Sequence, residues 1–204
     1  VSDESLNHVG LFIKDIAVEL HSTPAIMANF FYNRRLQKWQ NEEKGRQCSH
    51  LVSLGSRPVS SGSDAQKGLA EMKVAVPTAS FNAVYQLYHL YHHYFYEGVG
   101  LRQVLDYYFV VTDLMDELEK LQTGSAITDS ENHSSLTEIQ QTLKQLGLWH
   151  FAGAMMYVLR EVLGLSEDKM LVPVDIRRGE MLLHEILVSY THLRAHETLS
   201  DLVC

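Results

Sequence analysis

Residues 77–121, PTASFNAVYQLYHLYHHYFYEGVGLRQVLDYYFVVTDLMDELEKL, constrain the fold more than any other stretch. They read as two helices joined at Glu97-Gly98-Val99-Gly100, and they hold seven of the ten tyrosines together with the dense histidine cluster His89, His92 and His93. In the first helix Phe81, Val84, Tyr85, Tyr88, Tyr91 and Phe95 recur mostly at intervals of three and four, the period of a buried helical face. The second repeats the pattern with Leu101, Val104, Leu105, Tyr108, Val111 and Leu114. Both faces need partners, so this hairpin is expected to form the core of a helical unit.

Ahead of it, residues 6–21, LNHVGLFIKDIAVELH, have the alternation of a β-hairpin. Val9, Leu11 and Ile13 share one side, Lys14-Asp15 marks a tight turn, and Ile16, Val18 and Leu20 alternate on the return, leaving Ala17, Glu19 and His21 on the opposite face. A short helix is expected near 25–39, followed by the polar run QNEEKGRQ. The Ser/Gly-rich stretch 53–68 reads as a loop and a boundary between structural units. After a second polar loop, 122–134, Ser135 and Glu138 have capping-box spacing, predicting a helix that runs to Leu146 and ends at Gly147. A strongly apolar helix over 148–163 closes at Gly164, Val172-Pro173-Val174 is extended, and a last helix begins near Arg178. The fold class is therefore α+β, a hairpin followed by a mainly helical domain.

The 204 residues are 46% hydrophobic and 21% charged, as in an ordinary soluble globular protein. A net charge of −8 supplies no broad basic field, which argues against duplex nucleic acid as a partner. Two cysteines, Cys48 and Cys204, make no disulfide framework and point to a reducing, cytoplasmic compartment. No apolar run has the length of a membrane span, and the first residues lack a signal peptide's basic and apolar regions.

Residues 188–204, VSYTHLRAHETLSDLVC, break the pattern. The string VSYTHLRAHET resembles one translated frame of a transposase-based sequencing adapter. That resemblance implies that His192, His196 and Cys204 carry no chemistry, although two histidines four apart beside an acid otherwise invite a metal site. It also implies that the natural protein continues differently after Leu187.

Glu19 is the sharpest candidate for chemistry, a lone carboxylate centred in an apolar strand. The segment HVGLFIKDIAVELH resembles the strand pair that carries the third carboxylate in a family of nucleotidyltransferases of the polymerase β type, where a final strand reads apolar, acidic, apolar, His. HLYHHYFYEGVGLRQVLDYYF, LGLWHFAGAMMYVL and RRGEMLLHEIL resemble the helical half of the same family. The resemblance implies transfer of a nucleoside monophosphate from a nucleoside triphosphate to an unknown acceptor, with Mg²⁺ held by three carboxylates. Glu19 would be one of these and a metal ligand, with His21 beside metal or substrate. The family's first two carboxylates form an Asp, apolar, Asp pair after a Gly-Ser or Gly-Gly turn; neither motif precedes Glu19 here. The chain is thus expected to begin after them and to be inactive by itself.

His89 and His93, four apart, can face one side of their helix, with His92 turned elsewhere. Two nitrogens at this spacing can grip a transition metal, but a third ligand is not evident, and hydrogen-bonded histidines among tyrosines are the plainer reading. Contact with nucleotide or acceptor is a further role for both. Arg102 and Asp106 suit an intrahelical ion pair; alternatively, the Gly98-Val99-Gly100 turn and Arg102 receive a phosphate at a helix N-terminus. Tyr107, Tyr108, Trp149, Met155 and Met156 are expected in the core, and Cys48 is an incidental thiol.

The sequence thus reads as a remnant of a catalytic domain over 1–52, a linker over 53–76, a helical domain over 77–187 and an adapter-derived tail. Two rivals stand beside the enzyme: a non-catalytic helical module contacting a ligand or protein through residues 85–96, and a His-based metal hydrolase.

Overall fold

A computed structural model describes residues 4–5, 8–13, 15–21, 23–56, 71–123 and 134–188. The tail after 188, most of the two expected loops and Lys14 of the expected turn lie outside these residues. The fold is α+β, as the sequence predicts: the described residues form two small antiparallel sheets and six α-helices.

The first sheet has the order β1 (Glu4–Ser5), β2 (His8–Ile13) and β3 (Ile16–His21). Register pairs Val9 with Leu20, Leu11 with Val18 and Ile13 with Ile16, so the alternating apolar sets do share one face. Asp15 sits at φ 66°, a left-handed conformation that Asp tolerates in a two-residue hairpin turn. The short β1, which pairs Glu4 with Val9, has no alternation long enough to be read from sequence.

Helix α1 (Phe30–Ser49) differs from the expectation for 25–39. Its start is set by Asn29, whose side chain accepts from the Phe31 and Tyr32 amides. It then continues through QNEEKGRQ, because that run supplies good helix formers and turns Gln40 and Glu43 inward. Residues 25–27 instead lie outside the helix, with Ala25 and Met27 buried.

Strands β4 (Leu51–Ser56) and β5 (Glu71–Ala75) form a second hairpin between α1 and the next helix. Ser53–Ser56, read as loop, are therefore strand, with an irregularity in register between Ser53 and Ser56. Cross-strand pairing with Lys73 and Glu71 overrides the weak local propensity of Ser and Gly.

Helices α2 (Ala79–Tyr96) and α3 (Leu101–Gln122) are the expected hairpin. Thr78 caps α2, and Gly98, at φ 89°, ends it with its amide donating to the His93 carbonyl at 2.7 Å. The buried faces include the expected Phe81, Val84, Tyr88, Val104, Val111 and Leu114 but are otherwise rotated from those expected. On α3 they are Val104, Tyr107, Val111, Leu114 and Leu118, while Leu101 and Leu105 are exposed. On α2, Leu87, Leu90 and Tyr94 are buried, and Tyr85, Tyr91 and Phe95 only partly so. The rotation follows from what covers each helix: Tyr107 is inserted against α2 and donates to the Ala83 carbonyl at 3.2 Å.

Helix α4 (Leu136–Gln145) begins with the predicted capping box of Ser135 and Glu138. Helix α5 (Trp149–Leu163) ends at Gly164, φ 70°, as predicted. A single 3₁₀ turn at Glu167–Lys169 precedes α6 (Ile176–Val188), which starts just before the expected Arg178 because Asp175 accepts from the Arg178 amide. The most completely buried helix is α5, not the α2–α3 hairpin: Phe151, Met155, Met156, Val158 and Leu159 are all wholly inaccessible. Each such side chain contributes roughly 1.5–3 kcal/mol, so α5 is the hydrophobic axis on which the other helices pack.

Candidate functional site

One ridge of α2 carries Phe81, Tyr85, His89, His93 and Glu97 at successive steps of four. Trp39 of α1 stacks on Phe81 with centroids 5.2 Å apart, Phe81 stacks on Tyr85 at 5.4 Å, and Tyr85 on His89 at 6.2 Å. His89 and His93 then meet edge to face, with 2.8 Å between their Nε2 atoms. His93 Nδ1 lies 2.7 Å from Glu97 Oε2. With Nδ1–H of His93 donating to the carboxylate, its Nε2 accepts from His89 Nε2–H, giving a chain that can pass a proton from exposed His89 to Glu97.

The i,i+4 spacing therefore brings His89 and His93 together as expected, and His92 turns away to pack on Tyr96 at 4.6 Å. Burial, then the neighbouring His93, holds the His92 imidazole below its ordinary value. Among the described residues no group of three His, Cys, Asp or Glu is arranged to hold a metal ion. The two Nε2 atoms are engaged with each other instead.

Glu19 and His21 lie on β3, whose register sets Glu19 opposite Gly10 and His21 opposite His8. They belong to the sheet rather than to the α2 ridge. The two regions are linked by the segment that leaves β3: Tyr85 donates to the Pro24 carbonyl at 3.1 Å and Tyr88 to that of Ile26 at 2.6 Å. Burial pushes both phenols up, so they remain protonated donors at neutral pH. From the other side Gln37 and Gln40 donate to the Ala25 carbonyl. Part of the tyrosine stripe thus fastens the sheet-bearing segment to the helical unit.

Arg102 and Asp106 are both exposed and, among the described residues, form no ion pair with each other. The expected pairing gives way to solvation because two exposed charges gain little from meeting. The glycines beside Arg102 have structural roles: Gly98 terminates α2, and the Gly100 amide donates to Gln103 Oε1 at 2.9 Å. Val99 is buried between them. Cys48 is exposed and free.

Sequence reasoning missed a cleft where α1, α2 and α4 meet, lined by Trp39, Glu42, Glu43, Arg46, Ser134 and Glu138 among others. Arg46 donates to Glu43 Oε1 at 2.9 Å and also to the Ser134 hydroxyl. The run QNEEKGRQ offers no local signal of it, because the burial of Glu43 depends on α4, distant in sequence. Compared with known protein families, curated proteins and solved structures, the chain has no significant match.

Proposed function

We propose that this chain carries the third-carboxylate strand and the helical half of a nucleotidyltransferase of the polymerase β type. Such an enzyme moves a nucleoside monophosphate from a nucleoside triphosphate to an acceptor, here unidentified. The observation that carries the reading is the state of the first sheet. Strand β3, bearing Glu19, is an edge of the described sheet, and Phe12, Ile13 and Ile16 are 75%, 54% and 66% exposed. An open edge beside uncovered apolar residues supports further sheet packing there. Of the four segments that resemble the family, one coincides with β2–β3, one spans the α2–α3 turn with the adjoining parts of both helices, and two fall on most of α5 and α6.

In this reaction class Mg²⁺ neutralises charge on the phosphorus oxygens and the leaving pyrophosphate. The residues described here do not suffice to hold it, since no three ligating side chains converge. On this reading the chain by itself should not transfer nucleotides. Glu19 needs an acidic pair from outside this sequence.

The test is to sequence the source DNA upstream of Val1, express the joined protein, and follow transfer from α-³²P-labelled nucleoside triphosphates with Mg²⁺. A Gly-Ser turn and an Asp, apolar, Asp strand should appear upstream, and Glu19→Gln should reduce transfer at least a hundredfold. No such strand, or full activity in Glu19→Gln, defeats the reading and leaves the helical binding module. That alternative is favoured by the exposure of His89 and Tyr96 on α2.

A further inference from the structure

His89 and His93 form one of two histidine pairs four residues apart in this chain, the other being His192 and His196 of the tail. On a helix that spacing makes the two side chains neighbours on one face. Their Nε2 atoms lie 2.8 Å apart on the exposed side of α2.

Both rings are held from behind. Nδ1 of His93 lies 2.7 Å from Glu97 Oε2, so the carboxylate keeps a proton on Nδ1 and leaves the Nε2 lone pair available. A carboxylate in this position is what orients histidine ligands in metal centres and raises their basicity. His89 is stacked on Tyr85, which is itself stacked on Phe81 and anchored through its hydroxyl to the Pro24 carbonyl. Two imidazoles already restrained in this way lose little rotamer freedom when they share a ligand.

The spacing of the nitrogens selects the ion. At ~2.0–2.1 Å from a metal, two nitrogens in adjacent positions of a square or octahedral set are about 2.9 Å apart, against about 3.3–3.4 Å at a tetrahedral angle. The observed 2.8 Å matches the first. Imidazole suits Cu²⁺ and Ni²⁺, both of which accept tetragonal geometry, and Cu²⁺ heads the affinity order of the first-row divalent ions. No group of three His, Cys, Asp or Glu converges among the described residues, so water would fill the remaining positions. In the neutral pair one proton lies between the two Nε2 atoms. On metal binding His89 carries its proton on Nδ1 instead, exchanged through solvent, which frees both Nε2 lone pairs for the ion.

We propose that His89 and His93 chelate one Cu²⁺, or less tightly Ni²⁺, through their Nε2 atoms, with Glu97 as a positioning residue behind His93. The inference is independent of the nucleotidyltransferase reading, whose Mg²⁺ is a hard ion that takes oxygen ligands rather than imidazoles.

The experiment titrates Cu²⁺ into the full chain carrying His192→Gln and His196→Gln, which removes the other pair at this spacing, and reads the isotherm with the pulsed EPR spectrum of the bound ion. One saturable site with two coordinated imidazoles is expected, with affinity rising from Zn²⁺ through Ni²⁺ to Cu²⁺ and no uptake of Mg²⁺. His89→Gln and His93→Gln should each weaken Cu²⁺ binding at least tenfold and leave one imidazole. Glu97→Gln should weaken it severalfold with both imidazoles kept, and His150→Gln, exposed on α5, should change nothing. Binding that survives either substitution in the pair, a bound ion with a single imidazole, or Zn²⁺ held as tightly as Cu²⁺ overturns the proposal. If a variant of the pair loses its helical circular dichroism, the paramagnetic broadening of amide signals by Cu²⁺ in the chain with the pair intact decides: broadening centred on residues 85–97 upholds the site, and broadening centred elsewhere ends it.

Discussion

Gly179 of α6 lies flush against Tyr157 of α5, so close that a β-carbon at 179 would overlap Cβ and Cγ of the tyrosine. Helix α6 owes its seat on α5 to that missing atom. Gly179→Ala should therefore cost 2 kcal/mol or more, in the upper part of the roughly 1–3 kcal/mol typical of overpacking, read from the urea midpoint. Gly45 in α1 has nothing within 4 Å of the same position. Gly45→Ala should instead raise stability by about 0.5–1 kcal/mol through helix propensity. Equal effects at the two sites would mean that the α5–α6 contact is not this close.

Glu43 makes stability depend on pH in a stated direction. Burial, opposed by Arg46, raises its carboxyl above the ordinary value. A raised carboxyl stabilises most fully below the unfolded value, about 4.3, and that contribution is lost as pH climbs through the folded one. The Tm of the native chain minus that of Glu43→Gln should accordingly fall between pH 4 and pH 7. A constant difference would show that Glu43 is solvated.

Tyr107 is wholly buried, and burial drives its phenol far above the usual tyrosine range. Its ionisation should be absent from an ultraviolet titration until the protein unfolds in alkali. Tyr107→Phe removes the bond to the Ala83 carbonyl and should cost about 0.5–1.5 kcal/mol in chemical denaturation.

Hydrogen exchange should separate the first sheet from the helical unit. The exposed Phe12, Ile13 and Ile16 give β2–β3 little covering, whereas α5 is buried nearly all round. Amides of β2–β3 should exchange at least tenfold faster than those of α5, because marginal sheets open locally. Equal protection would contradict an uncovered sheet.

Local chemistry was legible in the sequence. Ser135 with Glu138, Gly164 after an apolar run, and the i,i+4 pairing of His89 with His93 each depend on neighbours a few residues away. What depended on distant partners was not. QNEEKGRQ looks like a loop until α4 covers Glu43 and Ser134 meets Arg46. The α3 face could not be oriented while Tyr107 and Tyr108 were equally apolar choices; contact with Ala83 selects Tyr107. For Glu19 the alternation gives its strand, the structure adds its cross-strand neighbour Gly10, and its role rests on the resemblance.

The walls of the α1–α4 cleft are joined by unusually remote positions. Arg35 donates to the Gln145 carbonyl across 110 residues of chain, and Arg46 reaches Ser134 across 88. The α2–α3 and α5–α6 pairs are joined through short connections, and closing a long loop costs more entropy than closing a short one. Folding should therefore assemble those helical pairs early and bring α1 onto α4 late, making this seam the slow step of assembly and the first to part under stress.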